Sequence, residues 1–79
     1  MAEQIRDFAI DNGDWHGTRE ELTGEVPLLN NVLDSVGLVE LVSLIEHDFG
    51  IEVGADDLEP ANFATIDTVV AFILRRQGG

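Results

Sequence analysis

With 79 residues, 44% of them hydrophobic, the chain has room for one small domain and enough apolar side chains to bury a core. Sixteen acidic residues against four basic ones give a net charge of −12 at pH 7, which argues against nucleic acid and anionic membranes as partners and favours basic patches. The absence of cysteine rules out disulfides, a thiolate metal site and a thiol nucleophile.

The opening stretch "MAEQIRDFAI" carries Glu3 and Asp7 and lacks a long apolar region, so it does not read as a signal peptide. The longest apolar run, residues 69–74, is too short to span a bilayer. A monomeric cytoplasmic protein is expected, with residues 1–79 forming one domain. The first helix is predicted over residues 2 to about 11, with Ile5, Phe8 and Ala9 on one face, and it stops at Asn12 and Gly13. A long connection follows, in which Leu22, Val26, Leu28 and Leu29 suggest a loop pinned to the core. Connections of this length are often functional. Trp15 is expected to pack over the end of the bundle. An EF-hand calcium loop counted from Asp11 fails, because Gly13, Trp15, His16 and Leu22 stand where oxygen ligands, glycine and glutamate are needed. No metal site is expected.

The second helix is predicted from about 35 to 49, ending at Gly50. At about 100° per residue, Leu38, Leu41, Val42, Ile45 and Phe49 form one apolar stripe facing the core. Val36, Val39, Glu40, Ser43 and His47 fall on the opposite side, where two valines beside a glutamate suggest a docking surface. Gly37 in the first turn costs about 1 kcal/mol relative to Ala, so something other than helix stability selects it; close approach of another molecule is one such reason. "IEV" is a short extended piece, and "DDLEPANF" holds at most a brief third helix. Asp56, Asp57 and Glu59 read as a solvated loop, with a helix start as the alternative. Thr65 is a good N-cap for a last helix through "IDTVVAFILRR", whose Arg75 and Arg76 suit its C-terminal dipole. Strand signals are nearly absent, so the fold class is all-α.

The chemistry turns on "LDSVGL", where Asp34 and Ser35 stand side by side at the start of an apolar helix. Either one caps a helix well, so one of the two is surplus to capping. The glutamate of a capping box is missing, since Gly37 and Leu38 occupy the required positions. As an autonomous nucleophile, Ser35 needs a base held by a third group. His47 lies twelve residues along the same helix, about 18 Å away. His16 has no orienting carboxylate in a recognisable spacing, and neither G-x-S-x-G nor S-x-x-K surrounds Ser35. If Ser35 reacts, another enzyme acts on it.

The stretch "VLDSVGLVELVSLIEHDFGIEV" resembles the hallmark of acyl carrier proteins and their aminoacyl-carrying relatives: apolar–Asp–Ser–apolar, two variable positions, then apolar–Glu–apolar. The likeness extends from about Leu22 to Arg76, through "PLLNN", "DFGIEV", "DDLEPANFATID" and the closing helix. It implies a small four-helix bundle with a long first loop and a short third helix. It further implies that Ser35 receives 4′-phosphopantetheine from coenzyme A, with Asp34 as its motif partner orienting the loop and contacting the transferase. A phosphopantetheinyl transferase, a loading acyltransferase or adenylating ligase, and a downstream synthase or transferase are the implied partners. They would dock on Val36, Val39, Glu40, Ser43, Glu46 and His47, with Asp48 adding charge. The family is not catalytic in itself, and the arm brings the thiol that the chain lacks.

Departures from housekeeping fatty-acid carriers are specific. Val32 and Leu33 replace the usual Gly-Ala before Asp-Ser, Gly37 replaces an Asp, and His47 interrupts an acidic run. These resemble stand-alone carriers of polyketide or peptide natural-product pathways, although the Gly-Gly-His/Asp-Ser form of peptide carriers is absent. The cargo class stays open, and a fatty-acid role remains an alternative. The alternative of another class is a small acidic helical module that binds partners without covalent modification, with Ser35 as a cap.

Overall fold

The computed structural model describes residues 1–29 and 31–78. Its regular elements are helical: α1 (Ala2–Asn12), α2 (Ser35–Phe49), α3 (Pro60–Phe63) and α4 (Ile66–Gly78), with a single 3-10 turn at Ala55–Asp57. Among the described residues there is no strand, only an isolated bridge between Leu29 and Leu33. The all-α expectation holds, with α1 and α4 running slightly past their predicted ends.

Each helix forms for reasons written locally. In α1, Ile5 and Ala9 are fully buried and Phe8 packs beside them. The helix stops at Gly13, whose N–H donates to the Ala9 carbonyl at 2.8 Å. A side chain on Gly13 would strike that carbonyl and Val32, so the chain leaves the helix where only glycine fits. In α2, Leu41 and Ile45 are buried, with Leu38, Val42 and Phe49 half-buried beside them, which is the predicted stripe. Gly50 ends the helix in the left-handed region at φ 65°, the usual glycine solution to a C-terminus. At α4, Thr65 and Thr68 cap one another reciprocally: each backbone N–H donates to the other's hydroxyl, at 3.0 and 3.2 Å.

The connection between α1 and α2 is stitched to the helices, as its leucines suggest. Leu22 and Leu28 are fully buried. Arg6 Nε donates to the Leu22 carbonyl at 2.8 Å. The Leu28 N–H reaches Ala64 O at 2.7 Å, and Asp67 N–H reaches Gly24 O at 3.1 Å, so the loop is strapped across the start of α4. Asp14 N–H donates to Val32 O at 2.7 Å, closing the loop on itself just before α2. Trp15 is half-buried against the core and donates its indole N–H to Thr18 O at 2.8 Å, consistent with its expected packing role.

Beyond α2 the 3-10 turn falls at Asp56 and Asp57, where a helix start is the alternative to a solvated loop. Asp57 makes it: its carboxylate accepts the Gly54 N–H at 3.0 Å and pairs with Arg76 of α4. Arg76 also lies 5.6 Å above the Phe72 ring, and Phe72 stacks at 5.6 Å on Phe63, the buried residue of α3. Asp57 is thus a cap and an ion-pair partner instead of a purely solvated loop residue.

Candidate functional site

The N-terminus of α2 divides the labour between the two polar residues. Asp34, with extended backbone, is the N-cap: its Oδ1 accepts the Gly37 N–H at 2.8 Å, and its carbonyl accepts Leu38 N–H at 2.9 Å. Ser35 is the first helical residue and is exposed. Among the described residues its hydroxyl makes no hydrogen bond, and the first-turn N–H groups of Ser35 and Val36 have no acceptor. The hydroxyl is therefore free for chemistry without loss of the cap. Unsatisfied N–H groups and the positive end of the helix dipole favour an anion at that point. A phosphodiester on the Ser35 oxygen fits this environment.

Two buried residues hold the site in place. Val32 and Leu33 are each 2% exposed, and both of their N–H groups donate to the Leu28 carbonyl at 2.8 Å. Beside them an open cleft of about 440 Å³, lined by Asn12, Asp14, Asn31 and Asp34 among others, runs up to the start of α2. Gly37 is buried, and a Cβ placed on it would lie 3.1 Å from Leu33 Cδ2. The close approach that Gly37 permits is therefore to Leu33 of the same chain, which corrects the expectation of another molecule.

Val36 and Val39 are 66% and 65% exposed, and Glu40, Ser43, Glu46 and His47 are exposed with them. The predicted face is thus open along the outside of α2. Two of its members also have local partners. Glu46 accepts the Val53 N–H at 3.0 Å, tying the following segment to α2, and His47 Nδ1 lies 3.0 Å from Asp48. All four basic side chains are engaged elsewhere: Arg6 on Leu22, Arg19 on Asp7 and Glu3, Arg75 on Asn62, Arg76 on Asp57. No arginine neutralises the α2 face, so its acidic groups act outward. His16 pairs with Asp14 at 2.9 Å on the surface.

Two carboxylates are held below the ordinary range. For Asp57 the main cause is the Arg76 hydrogen bond, helped by the Gly54 N–H. For Glu21 it is the Thr18 backbone N–H, then the Thr18 hydroxyl. Among the described residues neither makes a hydrogen bond to Ser35.

Among the described residues the bundle thus presents an unbonded hydroxyl at a helix N-terminus beside an exposed acidic face, an arrangement open to modification by another enzyme. Residues 18–73 match the family model described as "Phosphopantetheine attachment site". The chain is also 32% identical over 69 residues to the "Probable acyl carrier protein PigG" of Serratia sp. (strain ATCC 39006), covering 80% of this chain and 79% of that protein. The chain belongs to the phosphopantetheine-attachment family and is an acyl carrier protein: a non-catalytic domain to which 4′-phosphopantetheine is covalently attached. Proteins of this kind are served by phosphopantetheinyl transferases and by loading and synthase enzymes. Among the described residues, no helix is long and apolar enough to cross a membrane.

Sequence reasoning missed Leu33 as the floor of the site and Glu46 as a loop anchor. Spacing carries a signal for Leu33, four residues before Gly37, but nothing local says which residue a glycine accommodates.

Proposed function

We propose that Ser35 carries the 4′-phosphopantetheine arm and that this chain, acting as one cytoplasmic domain, shuttles a thioester-bound acyl or aminoacyl group in natural-product biosynthesis. The observation that carries the assignment is that Asp34 performs the capping, while the Ser35 hydroxyl is exposed and makes no hydrogen bond among the described residues. In the modification, Ser35 Oγ bonds to the pantetheine-side phosphorus of the coenzyme A pyrophosphate. The phosphoanhydride bond breaks, adenosine 3′,5′-bisphosphate leaves, and the hydroxyl proton passes to a base of the transferase. The arm, once bound, supplies the thiol. Asp34 holds the first turn, and the helix dipole favours the phosphodiester.

Val36 and Val39 are the proposed apolar contacts for partner enzymes, with Glu40, Ser43, Glu46, His47 and Asp48 around them. Weak charge-steered contacts suit a carrier that must exchange partners quickly. The natural-product reading is supported by Val32–Leu33 and Gly37 in the motif.

The test is intact mass after incubation with coenzyme A and a broad-specificity phosphopantetheinyl transferase. The wild-type protein should gain one phosphopantetheine and Ser35→Ala none. A wild-type protein that stays unmodified beside a modified control carrier would overturn the assignment.

A further inference from the structure

We infer that Gly37 is a positioning residue for the modification of Ser35: its missing side chain lets the first turn of α2 sit directly on Leu33, and that seat fixes where the Ser35 hydroxyl is presented. The inference rests on Ser35 being the attachment residue. A Cβ on Gly37 would lie 3.1 Å from Leu33 Cδ2, 3.5 Å from Leu33 Cβ and 3.4 Å from Asp34 Oδ1. The first of these is tighter than a relaxed carbon–carbon contact at about 3.5–4.0 Å. Leu33 is held on its core side. Its side chain is 2% exposed within the core, and its N–H is held by Leu28 O at 2.8 Å. A close-packed interior passes such a push on instead of absorbing it. The helix turn is what gives.

Ser35 lies inside the ring closed by the Asp34 carboxylate and the Gly37 N–H, at 2.8 Å. Lifting residue 37 off Leu33 therefore strains that bond and turns Ser35 with it. Transfer to phosphorus requires the attacking oxygen in line with the leaving group, and misplacement on the order of 1 Å costs about 10²-fold in rate. A shift of a few tenths of an ångström should cost about tenfold by the same scale. Docking is a separate matter: Val36, Val39 and Glu40 are exposed on the outside of α2, whereas Gly37 is buried on Leu33. This geometry accounts for a glycine kept in a helix's first turn.

The experiment follows phosphopantetheinyl transfer by intact mass for the wild type, Gly37→Ala, Leu33→Val and the double variant. Gly37→Ala should lower kcat about tenfold, with KM for the carrier within about twofold and amide exchange at residue 37 accelerated. Shortening Leu33 clears the space, so the double variant should return to within about twofold of Leu33→Val alone. A Gly37→Ala protein with wild-type kcat, or a double variant that stays as slow, overturns the inference. An unmodified wild type instead overturns the Ser35 assignment, a distinct result.

Discussion

At the scale of single residues, Asp34 and Ser35 are neighbours in sequence and opposites in duty. Removing the Asp34 side chain orphans the Gly37 N–H, so Asp34→Ala should lower unfolding free energy by about 1 kcal/mol. Ser35→Ala removes no hydrogen bond among the described residues and should stay within about 0.5 kcal/mol of wild type. Urea unfolding of the two variants measures both. A Ser35 variant as unstable as the Asp34 one would mean that the serine shares in the cap.

At the scale of elements, the exposed face of α2 and the Asp57–Arg76 pair make different predictions. On α2, Val39→Asp or Glu40→Lys changes an outward side chain, so thermal stability should hardly move while KM with the transferase rises by about tenfold, or about 1.4 kcal/mol. The effect of Glu40→Lys should shrink as salt rises, which steady-state rates at two ionic strengths will measure. The Asp57–Arg76 pair joins the 3-10 turn to α4 and gives a pH signature. Asp57 titrates below its ordinary 3.8 in the folded protein, so its contribution is present above that value and is lost as pH falls through the depressed one. Arg76→Gln returns the folded value toward the unfolded one. Wild type should therefore be the more stable at neutral pH, and the gap should close in strong acid, as thermal melts across pH will record. The lengths of α1, α2 and α4 follow from periodicity and end signals. The 3-10 turn does not, because Asp57 acquires its partner nineteen residues away.

At the scale of the whole molecule, the charge of −12 is an asset for steering and a cost for stability. All four arginines are occupied by partners within the chain, so the excess acid is not locally balanced on α2. Raising salt from low values should raise the unfolding midpoint by screening self-repulsion while slowing transfer from a basic partner, two opposite trends in one titration. A Cα radius of gyration of 11.5 Å matches that expected for a folded chain of this length, about 11.6 Å. That small radius is reached because the long loop contributes Leu22 and Leu28 to the same core as the helices.

The sequence by itself determined the helical class, the stripe of α2, the pinning of the first loop and the Asp-Ser motif. Each depends on residues near one another in the chain, where a 3.6-residue period and capping chemistry are legible. The tertiary structure decided which of Asp34 and Ser35 caps, that Gly37 faces Leu33, that Glu46 also anchors the Val53 segment, and that no arginine reaches α2. Backbone direction at a helix entrance and the pairing of distant side chains depend on how elements pack together, and spacing in one chain does not encode that.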